Sequence, residues 1–208
     1  MKLKLLFLSI VSVLSLVFFS LTTANAADFG LLGGLTFSKP SVKVAGATDT
    51  TTSINGSTYG AYLVFGLTRG LDFEVEGLYQ TSKFTTAAIQ SNPSYTTQLQ
   101  SVTVPVLFRI DLTRYFNIGV GGYYSEGVGN VQTNTGGIVT PSSYADDGLA
   151  KTDYGAVGSV QILLPISYRT ALVLEGKYFY GIKNLDLTSS DEFKTRTLNA
   201  MAGLNFIL

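Results

Sequence analysis

The chain has 208 residues, with 14 basic and 14 acidic residues giving zero formal net charge, and it contains neither Cys nor His. The even balance excludes the broad basic surface that a nucleic-acid binder needs. The missing Cys and His exclude disulfides, thiolate and imidazole metal sites, thiol nucleophiles and Ser-His-Asp hydrolysis. Charged residues are only 13% of the chain, against ~25% in soluble domains. Such a composition suits a chain whose outer surface is not wholly wet.

In chain order, residues 1–26 read as a secretory signal peptide. Lys2 and Lys4 precede an apolar run from Leu5 to Leu21, broken only by Ser9, Ser12, Ser15 and Ser20. Ala24-Asn25-Ala26 then supplies a small-x-small cleavage site with Ala24 and Ala26 at its two ends. The single domain that follows spans residues 27–208. No later stretch has the ~18 consecutive apolar residues of a membrane helix.

Period-two alternation organises the remainder of the chain. In Phe29 to Phe37, Phe29, Leu31, Gly33, Leu35 and Phe37 share one face, and Gly30, Leu32, Gly34 and Thr36 share the other. In Leu71 to Gln80, Leu71, Phe73, Val75, Gly77 and Tyr79 oppose Asp72, Glu74, Glu76 and Gln80. From Ser101 to Leu112, Val102, Val104, Val106, Phe108, Ile110 and Leu112 oppose Ser101, Thr103, Pro105, Leu107, Arg109 and Asp111. Thr58 to Leu67, Tyr115 to Gly127, Asp153 to Leu164, Thr170 to Ile182 and Thr195 to Leu208 complete a set of about eight strands. Each is near the ~9–11 residues that cross a bilayer with tilt.

Connections alternate in length. Thr68-Arg69-Gly70, Thr113-Arg114 and Pro165 to Arg169 are short. Ser38 to Ser57, Ser82 to Thr97, Asn130 to Thr152 and Lys183 to Lys194 are long and polar. This rhythm predicts an all-β fold: one antiparallel up-and-down transmembrane β-barrel of the bacterial outer membrane, with both termini on the short-turn side. Tyr59, Tyr79, Phe116, Tyr124, Tyr154 and Tyr180 fall at strand ends on the apolar face, where interfacial aromatic girdles sit.

The segment Ser101 to Arg109, followed by Tyr115 to Tyr123, resembles the outer-membrane β-barrel domain of the porin-family, PorT-like proteins. The resemblance rests on Val104-Pro105-Val106-Leu107, a tight turn, and an aromatic-rich strand carrying Gly121-Gly122. The architecture is similar to small eight-stranded outer membrane proteins. The end of the chain resembles the terminal-strand signal read by the barrel-assembly machinery. Leu204, Phe206 and Leu208 alternate there, although the signal usually ends in Phe. The resemblance implies outer-membrane lipid as solvent, and periplasmic chaperones and that machinery as partners during biogenesis.

Charge placement predicts the interior. Arg or Lys on the lipid face near mid-depth costs about 2–4 kcal/mol, so Glu74, Glu76, Arg109, Glu175 and Lys177 are expected inside, with Tyr123, Ser159, Gln161, Asn199 and Asn205. Three readings apply: a paired network filling a small barrel, the lining of a narrow channel, or a catalytic carboxylate pair. The barrel filling is adopted, since an eight-stranded interior holds only side chains or one small ligand. The role expected is structural or surface-interacting, without enzymatic activity or cofactor, and the alternative is a narrow porin-like channel for small solutes. Asp146, Asp147 and Asp153 could hold Ca²⁺ but lack a recognised ligand spacing, so solvated loop charge is preferred and no metal is expected. The long loops are where a surface ligand would be met. A soluble barrel would need outward faces far more charged than Gly30, Leu32, Gly34 and Thr36 supply.

Overall fold

The computed structural model describes residues 27–44, 47–48, 51–86, 94–186 and 192–207. The signal segment 1–26, with Ala24 and Ala26, and the terminal Leu208 lie outside the described residues.

The strands are β1 (Ala27–Ser38), β2 (Ser41–Val44), β3 (Ala47–Thr48), β4 (Thr51–Thr68), β5 (Leu71–Thr86), β6 (Tyr95–Asp111), β7 (Phe116–Gly127), β8 (Val131–Thr135), β9 (Ile138–Ser142), β10 (Thr152–Ser167), β11 (Thr170–Gly181), β12 (Glu192–Lys194) and β13 (Arg196–Ile207). Eight of them, β1, β4, β5, β6, β7, β10, β11 and β13, pair antiparallel in sequence order, and β13 returns to β1 to close the ring. Register links Val75 to Leu63, Phe29, Phe206 and Thr170 in one direction, and to Val106, Gly122, Ala156 and Tyr180 in the other. The two paths meet on β11 ten residues apart, from Thr170 to Tyr180. That stagger tilts the strands and closes the barrel. No helix among the described residues is long and apolar enough to cross a membrane; the strands do the crossing.

The alternation sets the two faces as expected. Along β6, Val102, Val104, Val106, Phe108 and Ile110 are exposed, while Thr103, Leu107 and Arg109 are buried. The β5–β6 ladder is interrupted between Val75↔Val106 and Leu78↔Thr103, the stretch opposite Pro105. Proline has no N–H to contribute there. Aromatic residues band the outer face at two depths. Tyr59 stacks on Tyr79 at 5.2 Å towards the long-loop end, and Tyr124, Tyr154 and Tyr180 stand exposed near that level. Towards the turn end the pairs are Phe29–Phe206 at 6.4 Å and Phe73–Phe108 at 5.5 Å. Tyrosine's hydroxyl suits a wet interface, whereas phenylalanine remains apolar throughout.

The turns are tight. Gly70 takes a φ of 83° after Arg69, a conformation that suits glycine. Thr113 Oγ1 accepts from the amides of Tyr115 and Phe116 at 3.2 and 3.0 Å. The third turn is shorter than Pro165 to Arg169: β10 continues through a register shift between Pro165 and Ser167. The long-loop end departs further from expectation. β4 starts at Thr51 rather than Thr58, β5 runs to Thr86 rather than Gln80, and β6 starts at Tyr95 rather than Ser101. The expected loop after Asn130 contains the β8–β9 hairpin, whose turn places Gly136 and Gly137 at φ 59° and 92°. β12, β2 and β3 form a separate small sheet. These segments are rich in Thr, which favours extended backbone without needing an apolar face. Thr85 and Thr96 pair through their hydroxyls at 2.9 Å.

Candidate functional site in the barrel interior

Two small apolar clusters frame the lumen. Leu78, Leu107, Tyr123, Val157 and Phe179 pack together on the long-loop side. Leu32, Tyr62, Val173 and Met201 pack on the wall formed by β1, β4, β11 and β13. Between them the barrel is charged.

Arg109, on β6, sits at the centre and is 1% exposed. Its Nε and Nη2 donate to Glu74 Oε2 and Oε1 at 2.5 and 2.6 Å, a two-point grip across to β5. Nη2 also donates to Glu175 Oε1 on β11 at 2.5 Å and lies 3.7 Å from Glu76 Oε1. Nη1 donates to Asn117 Oδ1 at 3.0 Å and Ser159 Oγ at 3.2 Å. Lys177 Nζ donates to Glu76 Oε1 and lies 3.3 Å from Glu175 Oε1. The structure therefore brings Glu74, Glu76, Arg109, Glu175 and Lys177 into one network. Asn117 extends it to Gln161 at 3.0 Å. On the other wall Tyr62 donates to Asn205 at 2.9 Å, and Asn205 donates to Asp28 at 2.9 Å.

The geometry explains one inward glycine. A Cβ on Gly119 would lie 2.5 Å from Ser159 Oγ and 3.5 Å from Arg109 Cγ. The position stays bare so that Ser159 and Arg109 can meet.

Glu74, Glu76 and Glu175 are close enough for one oxygen of each to share a cation. The space between them is already served by a guanidinium and an ammonium. The chemistry of this donor set is charge pairing, and no side chain in it is arranged as a nucleophile beside a base. Asp146, Asp147 and Asp153 do not converge. Asp146 accepts from Ser143 Oγ at 2.6 Å, Asp147 accepts from Ser142 at 2.5 Å, and Asp153 lies inside the barrel. The Ser143 hydroxyl and amide hold the Asp146 carboxyl below its ordinary value. Nearby, burial pushes the Tyr144 hydroxyl up to about 12.

A cavity of about 170 Å³ reaches the network from the turn end, with Arg109, Asn117, Tyr62 and Asn205 in its wall. A second, of about 80 Å³, occupies the long-loop half and has Gln80, Thr103, Tyr123 and Phe179 at its floor. The charged network and the long-loop apolar cluster separate them. Sequence reasoning missed one feature of the upper cavity. Asp153 Oδ2 accepts from Tyr123 at 2.9 Å and Thr195 at 2.5 Å. Parity on β10 was the available signal, because Asp153 shares its face with Val157, Ser159 and Gln161.

A closed antiparallel ring with an apolar exterior, two aromatic bands and all its mid-depth charges inside is an outer-membrane β-barrel. The chain belongs to the outer membrane protein beta-barrel domain family, which matches residues 20–187. Its fold is similar to the outer membrane protein OprG from Pseudomonas aeruginosa, at 12% identity and TM-score 0.56, covering 89% of this chain and 97% of that one. It is also similar to the outer membrane protease OmpT from Escherichia coli, at 10% identity and TM-score 0.51, covering 89% and 98%. Neisserial surface protein A matches at 14% identity and TM-score 0.49, covering 86% and 96%. At these identities the likeness is one of fold. No curated protein matches the chain significantly.

Proposed function

We propose that this outer-membrane protein is a structural or surface-interaction barrel whose lumen is closed by its own charges. The observation that carries the reading is the Arg109 centre: a guanidinium 1% exposed and bonded to side chains from four other strands. Ions would have to break several charge-assisted bonds in a low dielectric to pass it. The loops and the β8–β9 hairpin are then the parts free to meet a partner. The chain is read as non-enzymatic, because it has neither His nor Cys and its mid-depth carboxylates Glu74, Glu76 and Glu175 are engaged with cations. Residues 1–26 are proposed to be removed after Ala26, and intact-mass measurement of the membrane-extracted protein tests that boundary. Periplasmic chaperones and the barrel-assembly machinery are its proposed partners during biogenesis.

A narrow channel is the second reading. It is favoured by buried polar atoms along one wall that have no partner among the described residues, namely Thr36 Oγ1, Thr58 Oγ1, Gln80 Nε2, and Asn199 Oδ1 and Nδ2. Register places Asn199 beside Lys177 and Thr36, so a polar seam runs from the upper cavity towards the network. Single-channel recording of the refolded protein in a planar bilayer separates the two. A silent bilayer holding protein whose gel mobility shifts on heating supports closure. Discrete steps altered by Glu76→Gln or Arg109→Met establish conduction.

A further inference from the structure

We propose that the long-loop half of the lumen is a binding site for a small organic cation, an amine carried on an aromatic or branched apolar body, with Asp153 as its anchor. The cavity, about 80 Å³ and partly open, has room for several water-sized groups. Asp153 lines it and is 9% exposed. Two neutral hydroxyls, Tyr123 and Thr195, both donate to Oδ2. Oδ1 has no hydrogen-bond partner among the described residues. A buried carboxylate held only by neutral groups calls for a cation.

Lys151 and Arg196 also line this cavity, and they and Lys183 are engaged with other partners. Arg196 lies over the exposed Tyr180 ring at 3.5 Å and donates to the carbonyls of Gly181 and Thr195 at 2.7 Å each. Lys151 stands at the rim, 3.5 Å from Glu126. Lys183 donates to Thr152 Oγ1 at 2.5 Å. The remaining walls suit the apolar part of such a ligand. Tyr123 and Phe179 meet edge to face at 5.2 Å, and Phe84 and Phe193 lie 6.0 Å apart. Aromatic faces beside a carboxylate favour an ammonium group twice, by charge and by ring quadrupole. An anion of the same shape would meet Asp153 with like charge.

The test uses the refolded mature protein in nanodiscs, titrated calorimetrically with benzylamine, benzyl alcohol and benzoate, with empty nanodiscs as the partition control. Saturable benzylamine binding about tenfold tighter than benzyl alcohol, with no saturable benzoate binding, is expected from one charge-assisted contact. Asp153→Asn should bring benzylamine down to the alcohol level while the heat-dependent gel shift is kept. If that variant does not fold, the wild-type Asp153 carboxyl carbon decides: its resonance should move with benzylamine and stay put with benzyl alcohol. Equal affinity for amine and alcohol, no saturable amine binding, or an unmoved carboxyl resonance would overturn the proposal. Conductance is read independently, so an open lumen would not by itself remove this site.

Discussion

The mid-depth network and the upper cavity both bury carboxylates, yet they satisfy them differently. Glu74 and Glu175 are bonded to Arg109, and Glu76 to Lys177. Among the described residues Asp153 is bonded only to hydroxyls. Burial alone therefore does not define a site in this barrel. Where cation and anion come from the same chain, the group holds strands together. Where the counter-charge is missing, the group is available to something from outside.

The contrast can be broken most strongly at Arg109. Arg109→Met leaves three buried carboxylates facing only Lys177 and should destabilise the barrel by about 3–5 kcal/mol in urea unfolding from micelles. An unchanged midpoint would mean that the network does not hold the barrel together. Val106→Lys comes next. It puts an ammonium on the lipid face between the two aromatic bands and should cost about 2–4 kcal/mol. Ser101→Lys, facing the upper cavity, should insert nearly as well as wild type; equal damage from both would mean the faces are wrongly assigned. Asp153→Asn sharpens the comparison from the other side. Its amide oxygen can still accept from Tyr123 and Thr195, so the unfolding change should stay within about 1 kcal/mol. The smallest effect is at the Ser143–Asp146 turn. The folded Asp146 value lies below the unfolded one, so its contribution is present above the unfolded value and lost as pH falls through the folded value. The protection factor of the Ser143 amide, which donates to Asp146 at 3.3 Å, should therefore fall only in acid below the ordinary Asp range.

Much of the barrel could be read from residue parity. Val102 to Ile110 against Thr103 to Arg109 decides which way β6 faces, because lipid and lumen demand opposite chemistry. The same parity puts Glu74, Glu76, Glu175 and Lys177 indoors. It could not say that β11 lies across the lumen from β5 and β6, close enough for Arg109 to reach Glu175 and Lys177 to reach Glu76. Those contacts depend on ring closure and stagger. The strand extensions past Thr58, Gln80 and Ser101 were invisible for another reason. Beyond the membrane both faces are wet, so Thr51 to Ser57 and Tyr95 to Gln100 show no alternation. Asp153 was read with Asp146 and Asp147 by proximity in sequence, whereas its partner Thr195 lies on the far side of β11.

The most direct test of the central claim, that paired charges tie the barrel together across its lumen, is a double-mutant cycle on Glu74 and Arg109. Urea unfolding of wild type, Glu74→Gln, Arg109→Met and the double variant gives the interaction term. The structure predicts coupling of about 2–3 kcal/mol, with the double variant less damaged than the single changes summed. Additive changes would contradict it, because they would mean the two groups stabilise the barrel independently.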